Sequence, residues 1–314
     1  MINLPFDIEK TILINKPSSE VFSYIANFEN WPSWSPWLRQ EPECSFRVKN
    51  PAGKVNHRQE WEGKYIGSGT MEIESIKPGE AIYYDLHFMK PWKSQSKVSF
   101  ELSKKDADTL VTWTMKGSIP VFLFFMKRMM SALVGSDYKR GLAMLKERLE
   151  EGKVHSKVVR VGKVDQNSFH YIGLENTCEI ENIGPTMESD FQRLTQFRDS
   201  KDIDKNHSTF CIYHDFDFVK EKARYSVCFG YEKELDIEPE GDVYIGELPN
   251  HKALQYNHIG AYKHLQNAWS AVMGSARVDK LKTSKDLKPY EIYSNDPREV
   301  AESEIKTEIY VPLR

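Results

Sequence analysis

The sequence predicts an α+β protein of two domains in tandem, and three observations predict it. Over residues 1–152 a strand, a short helix, a series of short strands and a long closing helix follow one another. Over residues 168–314 a strand–helix–strand–strand unit occurs twice. Near the C-terminus, Lys288-Pro289-Tyr290-Glu291-Ile292-Tyr293 and Lys306-Thr307-Glu308-Ile309-Tyr310-Val311-Pro312 alternate as half-buried strands do.

Length and charge set the frame. At 314 residues the chain accommodates two cores. Its 40% hydrophobic and 28% charged residues are ordinary for a globular protein. Residues 1–152 carry 21 Lys and Arg against 19 Asp and Glu, and the remainder 22 against 27, so neither half offers a strongly basic nucleic-acid surface. Cys44, Cys178, Cys211 and Cys228 form no C-x-x-C pair, so we expect no structural zinc, no metal site and no cofactor. No signal-peptide pattern opens the chain. The apolar run from Ile119 to Met126 is too short to span a bilayer. The expectation is a cytoplasmic protein that meets neither membrane nor nucleic acid.

In the first half, Phe6 to Asn15 reads as a strand. Lys16-Pro17-Ser18-Ser19 reads as a helix start with a hydroxyl as N-cap and Glu20 in the first turn. Val21, Phe22, Ile25, Ala26 and Phe28 follow helical spacing. Trp31-Pro32-Ser33-Trp34-Ser35-Pro36-Trp37 then makes a rigid aromatic loop, because its prolines forbid helix. Six short runs follow, each ended by turn residues: Phe46 to Lys49, Asn56 to Tyr65, Thr70 to Ile76, Ala81 to Phe88, Lys97 to Leu102 and Leu110 to Ser118. A long helix closes the half. Phe122, Met126, Met129 and Leu133 form its apolar stripe, which Leu142, Leu145 and Leu149 extend.

This half resembles the START-like superfamily, also called SRPBCC or polyketide-cyclase-like. The resemblance rests on Ile14-Asn15-Lys16-Pro17-Ser18-Ser19-Glu20-Val21-Phe22, on residues 29–37, on Val111-Thr112-Trp113-Thr114-Met115 and on the closing helix. It implies a helix-grip fold, a curved sheet wrapped on the long helix around an apolar cavity. Trp31, Trp34, Trp37, Phe88, Trp92, Phe125 and Met129 are the candidates to line that cavity. His57 and His87 are isolated and read as ordinary strand residues.

Residues 153–167 read as a linker, and the repeat follows. Its first unit comprises Phe169 to Thr177, a helix opened by Ile183-Gly184-Pro185, Phe210 to Phe216 and Arg224 to Tyr231. Its second comprises Lys252 to His258, a helix opened by Ile259-Gly260-Ala261, Tyr290 to Ser294 and Ile305 to Val311. Gly184 and Gly260 stand 76 apart, and Tyr213 and Tyr293 stand 80 apart. In the last two strands, parity puts Tyr290 and Ile292 toward a helix layer, and Glu291, Tyr293, Glu308 and Tyr310 on the opposite, ligand-facing side. A carboxylate among aromatic rings suits a flat or cationic organic ligand.

The second half resembles the GyrI-like, AraC-type effector-binding domain, a tandem duplication of the SHS2 unit. Tyr290-Glu291-Ile292-Tyr293, Asn295-Asp296-Pro297 and residues 307–312 carry the resemblance, with Ile259-Gly260-Ala261-Tyr262. It implies that Glu291 and Tyr310 meet cationic aromatic ligands. Tyr171, Tyr231, Tyr256, Trp269 and Glu308 are further candidates. The expected function is binding of hydrophobic or cationic aromatic compounds, without a DNA-reading domain. An alternative is a hydrolase of electrophilic toxins, with Glu291 as base and Tyr293 or Tyr310 as partner. Another is an inhibitory protein partner acting through the C-terminal domain, for which the acidic stretch from Glu232 to Asp242 is the candidate surface.

Overall fold

The computed structural model describes residues 3–314. The chain divides into two compact units, Met1–Val154 and His155–Arg314.

The first unit begins with β1 (Asn3–Ile14) and α1 (Ser18–Ile25). Pro17, not a serine, occupies the N-cap position, so no hydroxyl caps the helix. A 3-10 turn, Phe28–Ser33, carries the first tryptophan of the aromatic loop. Then come β2 (Ser45–Lys49), β3 (Arg58–Glu62), β4 (Ser68–Lys77), β5 (Ala81–Lys90), β6 (Ser94–Lys105) and β7 (Asp108–Pro120). All pair antiparallel in the order β1-β7-β6-β5-β4-β3-β2, so the first strand closes on the last. A second 3-10 turn, Val121–Met126, leads into α2 (Lys127–Glu151). Gly152 ends that helix at φ 79°, a left-handed C-cap that suits glycine.

The core of this unit lies between α2 and the sheet. Trp113 on β7 stacks on Tyr138 of α2 at 3.9 Å and on Phe100 of β6 at 4.8 Å. Gly141 lets the helix approach, because a Cβ there would stand 2.8 Å from the Trp113 ring. His57 is not a strand residue but a buried post. Its Nε2 accepts from the Phe28 amide at 3.0 Å, so Nδ1 carries the proton toward the Asn50 carbonyl at 2.9 Å.

The second unit contains β8 (Ser156–Gln166), β9 (Phe169–Glu179), α3 (Ile183–Ser200), β10 (Ser208–Asp217), β11 (Lys222–Tyr231), β12 (Val243–Leu248), β13 (His251–Gly260), α4 (Gln266–Val278), β14 (Tyr290–Tyr293) and β15 (Lys306–Pro312). The segment expected as a linker is therefore mostly β8, which pairs with β13 along its whole length. The sheet order is β12-β9-β11-β10-β14-β15-β13-β8. Exchanging the repeats, so that β8 takes the place of β12 and β9 that of β13, reproduces this order read backwards. The pseudo-two-fold axis thus passes between β10 and β14. The first strand of each repeat crosses over: β8 pairs with β13 of the second repeat, and β12 with β9 of the first.

Both helices pack on one face of this sheet. Leu194 of α3 joins Ile172, Cys211, Tyr225, Val227 and Phe229 in one cluster. Ala268 and Val272 of α4 join Leu254, Tyr256, Ile309 and Val311 in another. The opposite face is buried too, by Tyr171, Phe210, Ile212, Tyr290, Tyr310 and their neighbours. A strand covered on both faces gives no inside-out alternation to read.

Candidate functional sites

Glu291 is the one acidic residue of β14, and β14 lies between β10 and β15. Its register sets Glu291 opposite Cys211 on one side and Ile309 on the other. Side chains opposite one another in a ladder share a face. Cys211 and Ile309 lie under the helices, and so does Glu291. The expected parity is thereby reversed. Tyr290 and Ile292 face away from the helices, and Glu291 and Tyr293 face toward them.

Glu291 has 0% exposure, and three neutral donors hold it. Tyr293 Oη donates to Oε2 at 2.9 Å, Tyr213 Oη donates to the same oxygen at 3.2 Å, and Trp269 Nε1 of α4 donates to Oε1. No cation pairs with it among the described residues. Burial pushes its pKa up to about 7, although the three hydrogen bonds pull the other way. The same burial, reinforced by the Glu291 charge, raises Tyr213 and Tyr293 well above the ordinary phenol value. Tyr262 rises to about 12 for the same two reasons.

Rings complete the enclosure. Tyr213 meets Trp269 edge-on at 5.3 Å, and Tyr293 meets Phe191 of α3 at 6.1 Å and Tyr262 at 5.7 Å. A β-bulge just after Tyr213 shifts the β10 register there, the kind of irregularity that re-aims a side chain. The half-exposed Trp269 indole closes one side of the carboxylate. A ligand that touches Glu291 must displace one of its three donors.

The other expected residues of this domain lie elsewhere. Tyr310 and Glu308 are on the opposite face. There Tyr310 stacks on Tyr290 at 4.9 Å and donates to Glu308 at 2.6 Å. Burial pushes Glu308 up, but the Lys306 ammonium at 2.6 Å and the Tyr310 hydroxyl outweigh it and hold the carboxyl below its ordinary range. Tyr310 is therefore no partner for Glu291. Tyr171 also lies on that opposite face, against Phe210 and Tyr244. Tyr256 packs beneath α4, and Tyr231 sits by His207. Tyr213, Tyr262 and Phe191 are the site residues that parity and motif did not single out. The stretch 232–242 is an exposed connector in which Glu240 pairs with Lys201 and Asp242 with Arg193.

The first unit holds a cavity of about 1400 Å³ between sheet and α2. Trp31, Trp37, Phe88 and Trp92 line it. Trp37 is oriented by a hydrogen bond from Nε1 to Asp137 of α2 at 3.1 Å, and Arg140 pairs with the other oxygen of that carboxylate. Trp34 does not line the cavity. It is buried in the core between Trp31, at 4.7 Å, and Trp113, at 5.6 Å. Phe125 and Met129 do not line it either, and both are exposed. The helix-side lining is instead Leu123, Met126, Met130, Val134 and Tyr138. Methionines suit irregular apolar occupants.

A helix-gripped apolar cavity, followed by a duplicated sheet that buries an acid among aromatic donors, defines a helix-grip domain ahead of a tandem-repeat domain. Family comparison agrees. Residues 5–150 match the polyketide cyclase / dehydrase and lipid transport family, and residues 161–314 match the GyrI-like small molecule binding domain. The chain is a START-like domain of the polyketide-cyclase type fused to a GyrI-like domain, and its C-terminal domain is of a small-molecule-binding class. Similar solved structures include protein MLL2253 from Mesorhizobium loti, 14% identical, covering 48% of this chain and 100% of its own, with a TM-score of 0.38. TTHA0849 from Thermus thermophilus is 15% identical, covering 48% and 100%, with a TM-score of 0.37. The EcmrR C-terminal domain is 16% identical, covering 51% and 98%, with a TM-score of 0.38. No curated protein matches the chain in sequence.

Proposed function

We propose that the protein binds small molecules at two chemically different sites, one for apolar compounds and one for cationic aromatic compounds, as a binder rather than a DNA-bound regulator. The carrying observation is the Glu291 carboxylate, fully buried among aromatic rings and held by three neutral donors. A carboxylate desolvated without a counter-charge is held at a free-energy cost, and a cation that enters relieves it. The flanking rings add cation–π attraction. A thermal-shift series tests this reading. An N-methylacridinium cation should raise the melting temperature at pH 8, while neutral acridine at the same concentration should raise it much less. Equal shifts would remove the charge-based reading.

The N-terminal cavity is larger than a typical drug-sized site and is walled by tryptophan, methionine and leucine. Neutral apolar molecules are its fitting occupants. Leu86 lines it and is buried. We expect Leu86→Trp to fill part of the space and weaken binding of the neutral probe N-phenyl-1-naphthylamine by about tenfold, since each excluded contact group costs roughly a methylene's worth of burial. Acridinium binding should not change. Probe binding unaltered in a variant that still melts cooperatively would place the probe outside this cavity.

Hydrolysis of an electrophile is the second reading. A pKa near 7 suits a general base, and the Tyr293 hydroxyl at 2.9 Å could orient a water displaced toward the same oxygen. Turnover abolished in Glu291→Gln, with ligand binding retained, is the result that would select it.

A further inference from the structure

The outer surface at the N-terminal cavity carries an apolar face that the binding reading does not use. Phe122, Phe124 and Phe125 are 62%, 66% and 67% exposed, and Met129 and Leu133 continue the face along α2. Across the same cavity, Trp92 in the β5–β6 turn is 64% exposed. Single exposed apolar residues are ordinary, but a run of three phenylalanines beside further exposed apolar residues marks an interaction site.

Charge indicates what covers it. Residues 86–100 and 109–136 contain no Asp or Glu, yet they carry Lys90, Lys93, Lys97, Lys116, Lys127 and Arg128. Lys90, Lys97 and Lys116 are committed to Glu62, Glu74 and Asp7. Lys93, Lys127 and Arg128 stand among the exposed rings. Aromatic side chains that project outward, on segments that carry cations and no carboxylate of their own, match the depth profile of a bilayer surface: rings below the headgroups, cations at the phosphates. A soluble acidic protein would supply the charge but not a fluid apolar layer for three adjacent phenylalanines. The same two segments line the cavity through Pro91, Trp92, Lys93, Leu123 and Met126, so its opening lies within this face.

We propose that the rim formed by residues 89–93 and 121–133 docks on a bilayer surface containing anionic phospholipid and presents the cavity opening to it. Such docking requires no spanning helix, and among the described residues no helix is long and apolar enough to cross a membrane. It adds a partner to the binding reading. The docking itself is measured without any cavity ligand, so its failure would leave that reading standing.

Sedimentation of the full chain with vesicles tests it. The protein should pellet with phosphatidylglycerol–phosphatidylcholine vesicles and much less with phosphatidylcholine alone, and added salt should weaken the association. Phe122→Ser/Phe124→Ser/Phe125→Ser should lower partitioning by about tenfold or more. Lys127→Gln and Arg128→Gln should each lower it by about fivefold. Phe122, Phe124, Phe125 and Arg128 are exposed and Lys127 is half-buried, so an unchanged melting temperature confirms that the variants fold. No pelleting, or pelleting indifferent to the substitutions, would overturn the proposal. Equal binding to neutral vesicles would overturn the assignment to anionic lipid. A wild-type dimer that the phenylalanine variant converts to monomer, with no vesicle association in either protein, would assign the face to a second copy of the chain instead.

Discussion

Glu291→Gln is expected to weaken binding of N-methylacridinium by about tenfold to a hundredfold and to leave neutral acridine nearly unaffected. Removing a charge-assisted contact from a desolvated site costs ~1.5–3 kcal/mol, and each 1.4 kcal/mol is about tenfold. The glutamine keeps the shape of the site and an oxygen for the Trp269 indole, while the tyrosine hydroxyls can turn to accept from its amide. Protons must follow the cation. With a pKa near 7 in the free protein, Glu291 is largely protonated at pH 6 and ionised at pH 8. A cation selects the ionised form, so affinity rises with pH through about 7, and binding below that value releases protons. Calorimetry at pH 6 in two buffers of different ionisation enthalpy reads that release directly. The same substitution acts oppositely on the ligand-free protein. The folded carboxyl keeps its proton to higher pH than an unfolded one does. The native state therefore binds more protons between the ordinary carboxylate range and about pH 7, and stability falls as pH rises through that window. Above it the penalty is complete, on the order of 3 kcal/mol. Glu291→Gln should thus melt higher than wild type at pH 8 and lose that advantage at pH 4.5. Identical affinities for both ligands, together with identical melting at pH 8, would show that the Glu291 charge has no role in this site.

Glu291 stands out in the sequence, but the face it takes does not, and the reason is physical. Reading parity from polar and apolar alternation assumes that one side of a strand meets water. β14 has no such side, since Tyr290 and Glu291 are both fully buried. Only the register to Cys211 and Ile309 decides which way the carboxylate points, and register is set by strands far away in sequence. The internal repeat contained more of the site than parity did. Tyr213 and Tyr293, 80 residues apart, occupy matching strands beside the pseudo-two-fold axis, and their hydroxyls converge on one oxygen of Glu291. Phe191 and Trp269, 78 apart, come from the matching helices. Following the repeat outward from Glu291 would have found Tyr213 and Phe191. In the N-terminal unit the first part of the helical stripe, at Phe122, Met129 and Leu133, faces outward, while its extension through Leu142, Leu145 and Leu149 is buried. Residues 121–126 form a 3-10 turn with three residues per turn, so extrapolating a 3.6-residue period through them rotates the stripe outward. The segment is apolar on every side, and composition could not select the lining residues Met130 and Val134 over Phe125 and Met129.

Residues 155–314 are expected to fold cooperatively alone, whereas 168–314 should not. The two pieces differ by β8, which lies at the edge of the sheet but is bound to the second repeat rather than to the first, which it opens. Its pairing with β13 runs from Ser156 opposite Gly260 to Gln166 opposite His251. Val158 packs with the cluster beneath α4, and Val164 packs on the opposite face. The Ser156 hydroxyl bonds His258 Nε2 and the Asn267 amide, each at 2.9 Å, and so ties the strand to the start of α4. Gly260 is required at that junction. Its φ of 131° is unfavourable for other residues, and a Cβ would stand 2.1 Å from the His155 carbonyl oxygen. Removing β8 strips these contacts, leaves a row of β13 backbone groups unpaired and exposes part of two clusters. Two half-buried valines contribute part of the ~1.5–3 kcal/mol of a fully buried one, and every ladder hydrogen bond adds ~1 kcal/mol. The sum reaches at least about 5 kcal/mol, comparable with the whole stability of a typical domain. Chemical denaturation followed by circular dichroism should show one sharp transition for 155–314 and none, or one at far lower denaturant, for 168–314. A synthetic peptide of residues 155–167 added to the shorter piece should restore the transition in proportion to its concentration. Equal stability of the two pieces would mean that β8 is an ornament on the edge of the sheet and that the exchange of first strands does not hold the two repeats together.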